Sequence, residues 1–384
     1  MRIEIKNLRK TANRIKIAIK TKEPVIICGD ADLDGVASVI ILKENIKNLG
    51  GTIAEVYFPD REKEGYGLTK EALGYLKKYA PGLLITLDCG IGNFREIEIA
   101  KDLGFETIII DHHEILNKLP KASIIVDPKQ RGDKYPFKQF ATVGLVFKLA
   151  EILYRKKMPE SLRRNFLELV TLATIADMMP RIEENEIMIA EGLNYLKSTW
   201  RPGIQALMKL KEITPLSLIE QVYKINSLLN VRDIQNKMPA AFRLLTISSK
   251  EAAGKLAEVL FKKGIERKEK IRKILEEAET KVSNNSTAPI IFEGSSKWEV
   301  ELLGVAASIL TQKYQRPVFL YKKINGDAQG GIRAPSGFNV VEAMKKCPEY
   351  LITYGGHPQA AGFRIKNENL EKFKKCLFKY FESL

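Results

Sequence analysis

Histidine is nearly absent from this chain. Of three in 384 residues, His112 and His113 are adjacent and His357 lies far downstream in a glycine-rich stretch, so histidine is not scattered over the surface. Cysteine is also scarce, and the four at positions 28, 89, 347 and 376 show no paired spacing, which argues for a reduced chain. No apolar stretch approaches the roughly 20 residues that span a bilayer, so no membrane anchor is expected. The N-terminus, Met-Arg-Ile-Glu-Ile-Lys, lacks the apolar core of a secretory signal, and a cytoplasmic protein is expected.

Charge of one sign dominates what is present. With 62 basic against 47 acidic residues the net charge is +15, which favours a polyanionic partner such as nucleic acid. The lysines are dispersed instead of forming one tract, so a generally lysine-rich surface is the competing explanation. The length exceeds what one hydrophobic core usually supports, about 250 to 300 residues, and more than one core is expected.

The stretch Ile108-Ile109-Ile110-Asp111-His112-His113-Glu114 reads as a buried strand that stops at an acid and two imidazoles. Taken alone, an adjacent histidine pair is equally well a polar turn. Three further acidic groups follow apolar runs in the same way: Asp30, Asp32 and Asp34 together, then Asp88, then Asp177. Carboxylates brought close raise one another's pKa unless cations lie between them. Oxygen donors with few imidazoles suit Mn²⁺ or Mg²⁺ better than zinc.

Taken in order, Leu8, Ala12, Ile15 and Ile19 predict an amphipathic helix within residues 1–22. A strand over 25–28 leads through Gly-Asp-Ala-Asp-Leu-Asp-Gly (29–35) to a helix over 36–49. Those aspartates can cap the helix or face a cation, and three exceed what one cap uses. A strand over 53–58, the loop segments Pro59-Asp60-Arg61 and Glu64–Leu68, and a helix over 69–78 follow. Next come a strand over 83–87, a helix over 93–103 and a strand over 107–110. This rhythm predicts an α/β, doubly wound, mostly parallel sheet with ligands beyond the carboxyl ends of its strands. Strand 124–127 and helices over 142–158 and 162–176 precede Asp177, and residues 178–185 close the first domain.

These motifs carry a resemblance. Gly-Asp-Ala-Asp-Leu-Asp-Gly at 29–35, Asp-Cys-Gly-Ile at 88–91, Asp-His-His at 111–113 and Ala-Asp-Met-Met-Pro at 176–180 resemble, in order and spacing, the four motifs of the DHH phosphoesterases. The 59–68 loop and Glu183-Glu184-Asn185 are similar to the RecJ-like single-strand exonucleases within that family. Gly304–Ser308, Arg316-Pro317, Gly330–Arg333 and Gly355–Gly362 resemble the DHH-associated C-terminal domain. The resemblance implies a phosphoesterase domain over 1–189, a helical connector over 190–285 and a smaller α/β substrate-binding domain over 286–384. In such enzymes the second domain faces the metal site across a cleft and grips the substrate's phosphate. A helical pattern over about 250–282, from Leu256, Leu260, Ile271, Ile274, Leu275, Ala278 and Val282, suits a rigid connector. A coiled-coil partner is its alternative. Asn284–Thr287 is expected to end that helix before a strand over 289–292.

Three departures from the family pattern stand out. Many members carry histidine where this chain has Cys28, which changes a metal ligand or a residue behind one. Residues 224–232 match the bacterial signature only loosely. The sequence ends 22 residues after Gly362, so the extra oligonucleotide-binding domain of the bacterial enzymes is not expected.

The roles implied are these. Asp32, Asp34, Asp88, His112 and Asp177 are direct ligands to two Mn²⁺ or Mg²⁺ ions, with Asp88 bridging and Asp30 a further candidate. His113 stabilises the leaving group or the developing phosphorane charge, and Asp111 orients a histidine from behind. Arg333 offers a fork to phosphate oxygens. Gly355, Gly356 and His357, with Ser308, hold a terminal phosphate, and Tyr66 stacks on a base. The function implied is a metal-dependent exonuclease that hydrolyses single-stranded DNA or RNA, of either polarity, to mononucleotides. A phosphodiesterase for short oligonucleotides or cyclic dinucleotides is a second reading, and a catalytically silent replication or repair scaffold is a third. A replication or repair protein is a further expected partner; the oligomeric state is open.

Overall fold

The computed structural model describes residues 4–61, 63–115, 118–155, 157–283 and 288–383. They divide into two compact units, Met1–Lys262 and Lys263–Leu384.

The first unit begins with α1 (Leu8–Thr21), β1 (Val25–Gly29), α2 (Leu33–Asn48), β2 (Glu55–Tyr57), α3 (Lys70–Leu76), β3 (Gly82–Leu87), α4 (Phe94–Asp102), β4 (Phe105–Ile110) and β5 (Ile124–Val126). The five strands pair in the order β2-β1-β3-β4-β5, all parallel, as the alternation of strands and helices predicts. Successive strand residues point to opposite faces. Ile27, Leu83, Ile85, Leu87, Ile108 and Ile110 pack with α1 and α2, while Ile26, Cys28, Leu84 and Ile109 pack with α3 and α4. Covered on both faces, the strands read as unbroken apolar runs. In this strand order the chain reverses direction across the sheet between β1 and β3, where doubly wound sheets collect ligands. Asp30 follows β1 there, and Asp88 follows β3.

After the sheet come α5 (Thr142–Leu153), α6 (Glu160–Ala176), α7 (Glu183–Leu196), α8 (Pro202–Met208), α9 (Leu218–Leu229), the short pair β6 (Ile234–Gln235) and β7 (Met238–Pro239), and α10 (Ala240–Thr246). The expected connector over 190–285 is not a separate body up to residue 262. Ile204, Leu207, Ile225, Leu229, Leu244 and Leu245 enter the same core as the sheet face. Buried Arg201 fixes this packing, donating to Glu44 of α2 at 3.1 Å and to the carbonyl of Leu245 at 2.9 Å.

Helix α11 (Lys250–Ser283) starts in the first unit and ends in the second. Ala253, Ala257 and Leu260 join the first core, and Ile271, Ile274 and Ala278 a cluster of the second. The apolar stripe is thus used by this chain's own cores, which leaves the coiled-coil reading without its seam. The side chain of Val282 and the expected break at Asn284–Thr287 lie outside the described residues.

The second unit continues with β8 (Ile291–Ser295), α12 (Val300–Tyr314), β9 (Val318–Lys323), β10 (Asp327–Arg333), α13 (Val340–Lys345), β11 (Leu351–His357), β12 (Ala360–Lys366) and α14 (Leu370–Glu382). Its sheet runs β11-β12-β10-β9-β8, with β8 and β9 parallel and the other pairs antiparallel. One expectation is corrected here: Cys347 and Cys376 form a disulfide across 29 residues, tying the end of α13 to α14. Their spacing carries no pairing signal, because the contact is made by tertiary packing. Cys28 and Cys89 are free and buried.

Among the described residues, no helix is long and apolar enough to cross a membrane.

Candidate metal centre

The loop after β1 is built by its aspartates. Asp32 caps α2, its Oδ1 accepting the N–H of Asp34 at 3.1 Å and of Gly35 at 3.2 Å, so the helix starts three residues earlier than its apolar pattern suggests. Gly35 is required where the helix meets the loop, since a Cβ there would lie 2.3 Å from the carbonyl oxygen of Asp30. Asp34 then points inward, accepting the N–H groups of Thr142 at 2.7 Å and Val143 at 2.9 Å, the first two residues of α5. Asp88 ends β3 in a left-handed conformation, φ 61°, which costs a non-glycine residue about 1 to 3 kcal/mol and recurs at functional sites. The hydroxyl of Thr142 donates to its Oδ1 at 3.1 Å.

Three carboxylates from three segments meet at His112. Its Nε2 lies 3.4 Å from Asp88 Oδ1, 3.4 Å from Asp177 Oδ2 and 4.0 Å from Asp34 Oδ2. Two oxygen or nitrogen donors about 2.1 Å from one small divalent ion are about 3 Å apart when adjacent and about 4 Å when opposite. The observed separations fall in that range. Donor atoms of three overlapping groups each lie within 4.8 Å of one another: Asp34, His112 and Asp177; Asp88, His112 and His113; and Asp30, Asp32 and Asp88. Asp88 is shared by two of them, as a bridging ligand must be. Asp177, at the end of α6, has a buried Oδ2 that accepts no hydrogen bond among the described residues.

Burial and crowding raise these carboxyls. Burial first, and the charge of Asp32 second, lift Asp34 to about 7. Burial, then Asp34 and Asp32, lift Asp177 to about 8, and burial with the neighbouring aspartates holds Asp88 well above the carboxylate range. On the β1 side the guanidinium of Arg61 opposes this charge. It forks onto Asp30, at 2.8 Å through Nε, and reaches Asp32 at 2.9 Å. Asp30 also accepts the N–H of Ala31, so both of its oxygens are engaged, as both oxygens of Asp34 are by the amides of Thr142 and Val143. Acid pressure of this kind is what a divalent cation relieves, and the donors present fit one.

Asp111 and His113 form a second pair beside the first. Asp111 accepts the ring Nδ1 of His113 at 2.7 Å, the N–H of His112 at 2.8 Å and the N–H of Ile91 at 3.1 Å. Against the cost of burial, these bonds hold its carboxyl below the usual range. Burial likewise works against the imidazolium of His113, but the hydrogen bond and charge of Asp111 outweigh it and lift His113 to about 9. Tyr66 donates to the carbonyl of Asp88 at 3.0 Å, and its hydroxyl lies 3.4 Å from His113 Nε2, with half its surface exposed. Cys28 packs in the apolar cluster under α3 and α4. Its hydrogen bond to Cys89, then burial, keep the Cys89 thiol protonated, and neither sulfur belongs to a donor group among the described residues.

Arg333, Ser308, Gly355, Gly356 and His357 belong to the second unit. Arg333, at the end of β10, is half-buried, donates to the carbonyl of Ile332 at 2.8 Å and has no carboxylate partner among the described residues; burial lowers its pKa. A Cβ on Gly304 of α12 would come within 3.1 Å of its guanidinium, and Ser308 lies one turn further along α12. Gly356 has φ 135°, and a Cβ there would lie 2.4 Å from the carbonyl of Ala360.

Sequence reasoning passed over three residues. Arg61 was within a noted loop, but nothing in its residue type announces a fork onto two aspartates. Thr142 gives no sequence signal at all. Asp127 did: it follows β5 as Asp88 follows β3, is buried, and is lifted by burial to about 7.

Comparison with known proteins agrees with this geometry. A family model for the DHH family, N-terminal domain, matches residues 24–174, and one for the DHHA1 domain matches residues 287–383. The single-stranded-DNA-specific exonuclease RecJ of Bacillus subtilis (strain 168) is 35% identical over 382 residues, covering 97% of this chain and 48% of its own. That of Thermus thermophilus is 28% identical over 378 residues, covering 97% and 54%. The chain therefore spans about half the length of these curated relatives. A crystal structure of exonuclease RecJ bound to manganese is similar at 26% identity with a TM-score of 0.82, covering 99% of this chain and 96% of that one. A RecJ–Mn²⁺ complex from Thermus thermophilus, at 24% identity and TM-score 0.85, covers 99% of this chain and 55% of that one and shares its fold. With the two family models matched in order and its acid–imidazole cluster beside the strand ends, the chain carries a DHH-family domain followed by a DHHA1 domain.

Proposed function

We propose that this chain is a RecJ-like exonuclease that hydrolyses the phosphodiester bonds of single-stranded DNA or RNA to mononucleotides with two Mn²⁺ or Mg²⁺ ions. The observation that carries the reading is the sharing of Asp88 and His112 among overlapping donor groups. Asp34, Asp88, His112 and Asp177 would hold one ion, and Asp30, Asp32 and Asp88 the other. Bound there, the ions supply Lewis acidity and a water of lowered pKa, and they offset the anionic charge of the diester.

The chain's own residues do the remainder. Asp111 keeps His113 protonated at neutral pH and fixes its ring through Nδ1, so that Nε2 serves as donor to the leaving oxygen. Thr142 and Val143 hold Asp34 in place through backbone amides, without adding charge. Arg333, Ser308 and the Gly355-Gly356-His357 strand are the proposed grip for the strand's terminal phosphate. A half-buried guanidinium with no acidic partner among the described residues is suited to that anion. Gripping an end makes the reaction exonucleolytic. A silent scaffold has no use for a full donor set under this much acid pressure, and the net charge of +15 favours polymers over dinucleotides.

The test is turnover of 20-mer DNA and RNA strands, labelled separately at each end, against a dinucleotide in Mn²⁺. Mononucleotide release from the polymers, abolished by Asp88→Ala, supports the reading. A faster rate on the dinucleotide would move the chain to the second activity.

A further inference from the structure

Met178 directly follows Asp177 and is 83% exposed, the most exposed large apolar side chain among the described residues. Its backbone is left-handed, φ 57°. The N–H of Met178 donates to the carbonyl of Ile175, and that of Met179 to the carbonyl of Thr174, both at 3.2 Å, which closes the last turn of α6. This is the position just past a helix end that favours glycine, because any side chain there crowds its own backbone. Methionine thus stands at a steric cost that no packing among the described residues offsets. Fraying does not explain the exposure. Asn185 pins the segment, donating to the carbonyl of Pro180 at 3.0 Å and to that of Gln139 at 2.6 Å.

The surroundings are apolar and aromatic as well. Ile182 is 48% exposed and Tyr223 is 52% exposed. Arg181 hydrogen-bonds the Tyr223 hydroxyl, with its guanidinium 5.4 Å from the ring centre. Helix α9 lies antiparallel to α6: Asn226 donates to the carbonyl of Leu172 at 2.8 Å, and Tyr223, one turn earlier in α9, meets Arg181 beyond the end of α6. An exposed rim therefore borders Asp177, the proposed metal ligand at the carboxyl end of α6.

We infer that Met178 is a nucleobase contact, its thioether packing on the face of an unpaired base beside the phosphate presented at Asp177. The inference rests on the exonuclease reading above and adds a subsite to it. A flexible, polarizable thioether packs on any base face, so the contact is tolerant of sequence. It also demands an unpaired strand, since a duplex hides its base faces in the stack.

The test compares wild-type protein, Met178→Gly and Met178→Leu on an unpaired strand in Mn²⁺, and on a strand of equal length whose terminal nucleotides are abasic. Met178→Gly should raise KM on the intact strand about fivefold or more, the low end of a base contact. Its kcat should stay within about twofold of wild type, and its Tm should be unchanged or higher, because glycine suits the backbone there. Met178→Leu should restore most of the affinity. On the abasic strand all three proteins should share one raised KM. An unchanged KM for Met178→Gly on the intact strand overturns the inference, and so does an equal penalty on the abasic strand. A lower Tm, or a fall in kcat with KM intact, would make Met178 a prop for Asp177 and overturn it too. Wild-type protein that cuts no unpaired strand would defeat the nuclease reading itself, and this subsite with it.

Discussion

Asp34 accepts the backbone N–H of Thr142 at 2.7 Å, a bond across 108 residues that ties the loop after β1 to the first turn of α5. The hydroxyl of the same threonine braces Asp88 at 3.1 Å. One residue thus sets the spacing of two carboxylates that the sequence keeps 54 positions apart. Thr142→Val keeps the amide and the shape but removes the hydroxyl. Mn²⁺ affinity measured by calorimetric titration should fall about 10-fold or more, as when groups behind metal ligands are lost. Stability should change by only about 1 kcal/mol. An unaltered affinity would show that Asp88 needs no brace.

Metal binding and pH should be linked through Asp34 and Asp177. Their folded pKa values, about 7 and about 8, lie above the ordinary carboxylate value, so the stability they permit is fully present below about pH 4 and is lost as pH rises through 7 to 8. The chelated protein should therefore show a falling Tm between pH 5 and pH 8. Mn²⁺ must displace those protons, so its stabilising effect should be small at pH 5 and grow over the same window. At 100 times its Kd, one bound ion contributes about 2.7 kcal/mol. Equal Mn²⁺ shifts in Tm at pH 5 and pH 8 would contradict the linkage.

His113 should act as an acid whose pKa belongs to Asp111. With its folded value lifted to about 9, it stays protonated at neutral pH and is lost as a donor above that value. The alkaline limb of the kcat profile should fall near pH 9 in the wild type. In Asp111→Asn it should move toward about 6.5, the value for an ordinary histidine. His113→Ala should cost about 10² to 10⁴ in kcat while binding the same number of Mn²⁺ ions. An alkaline limb unmoved by Asp111→Asn would remove His113 from that role.

The Cys347–Cys376 bond closes a 29-residue loop that links α13 to α14. Cys347→Ser should cost the second unit about 3 kcal/mol, read as an earlier urea transition, and the same shift should appear in wild-type protein under reductant. Mn²⁺ affinity should not change, since every proposed ligand lies in the first unit. Identical transitions with and without reductant would mean that the pair does not stabilise the fold.

Much of this was legible in the sequence, for a physical reason. Parallel strands buried on both faces must read as apolar runs, so the carboxylates at Asp30, Asp88 and Asp111 stood out where those runs stopped. The adjacent histidines were noticeable because histidine is otherwise so rare. What escaped depended on three-dimensional closure. Arg61 finds Asp30 only after β1 and β2 pair, Thr142 reaches Asp34 and Asp88 only once α5 docks, and Cys347 meets Cys376 only when α14 packs. The helices between residues 202 and 246 are short and broken by proline, so their apolar residues gave no long period that would have assigned them to the first core. Asp127 is a different case, since it offered the same signal as Asp88 and went unused.

Aspartates from distant strand and helix ends and His112 are proposed to bind a pair of divalent ions together. Anomalous scattering from crystals grown with Mn²⁺ tests this most directly. Two peaks should appear, one about 2.1 Å from oxygens of Asp34, Asp88 and Asp177 and from His112 Nε2, the other on the Asp32 side of Asp88. A map with no peak at Asp88, or with manganese bound only elsewhere, would contradict the account.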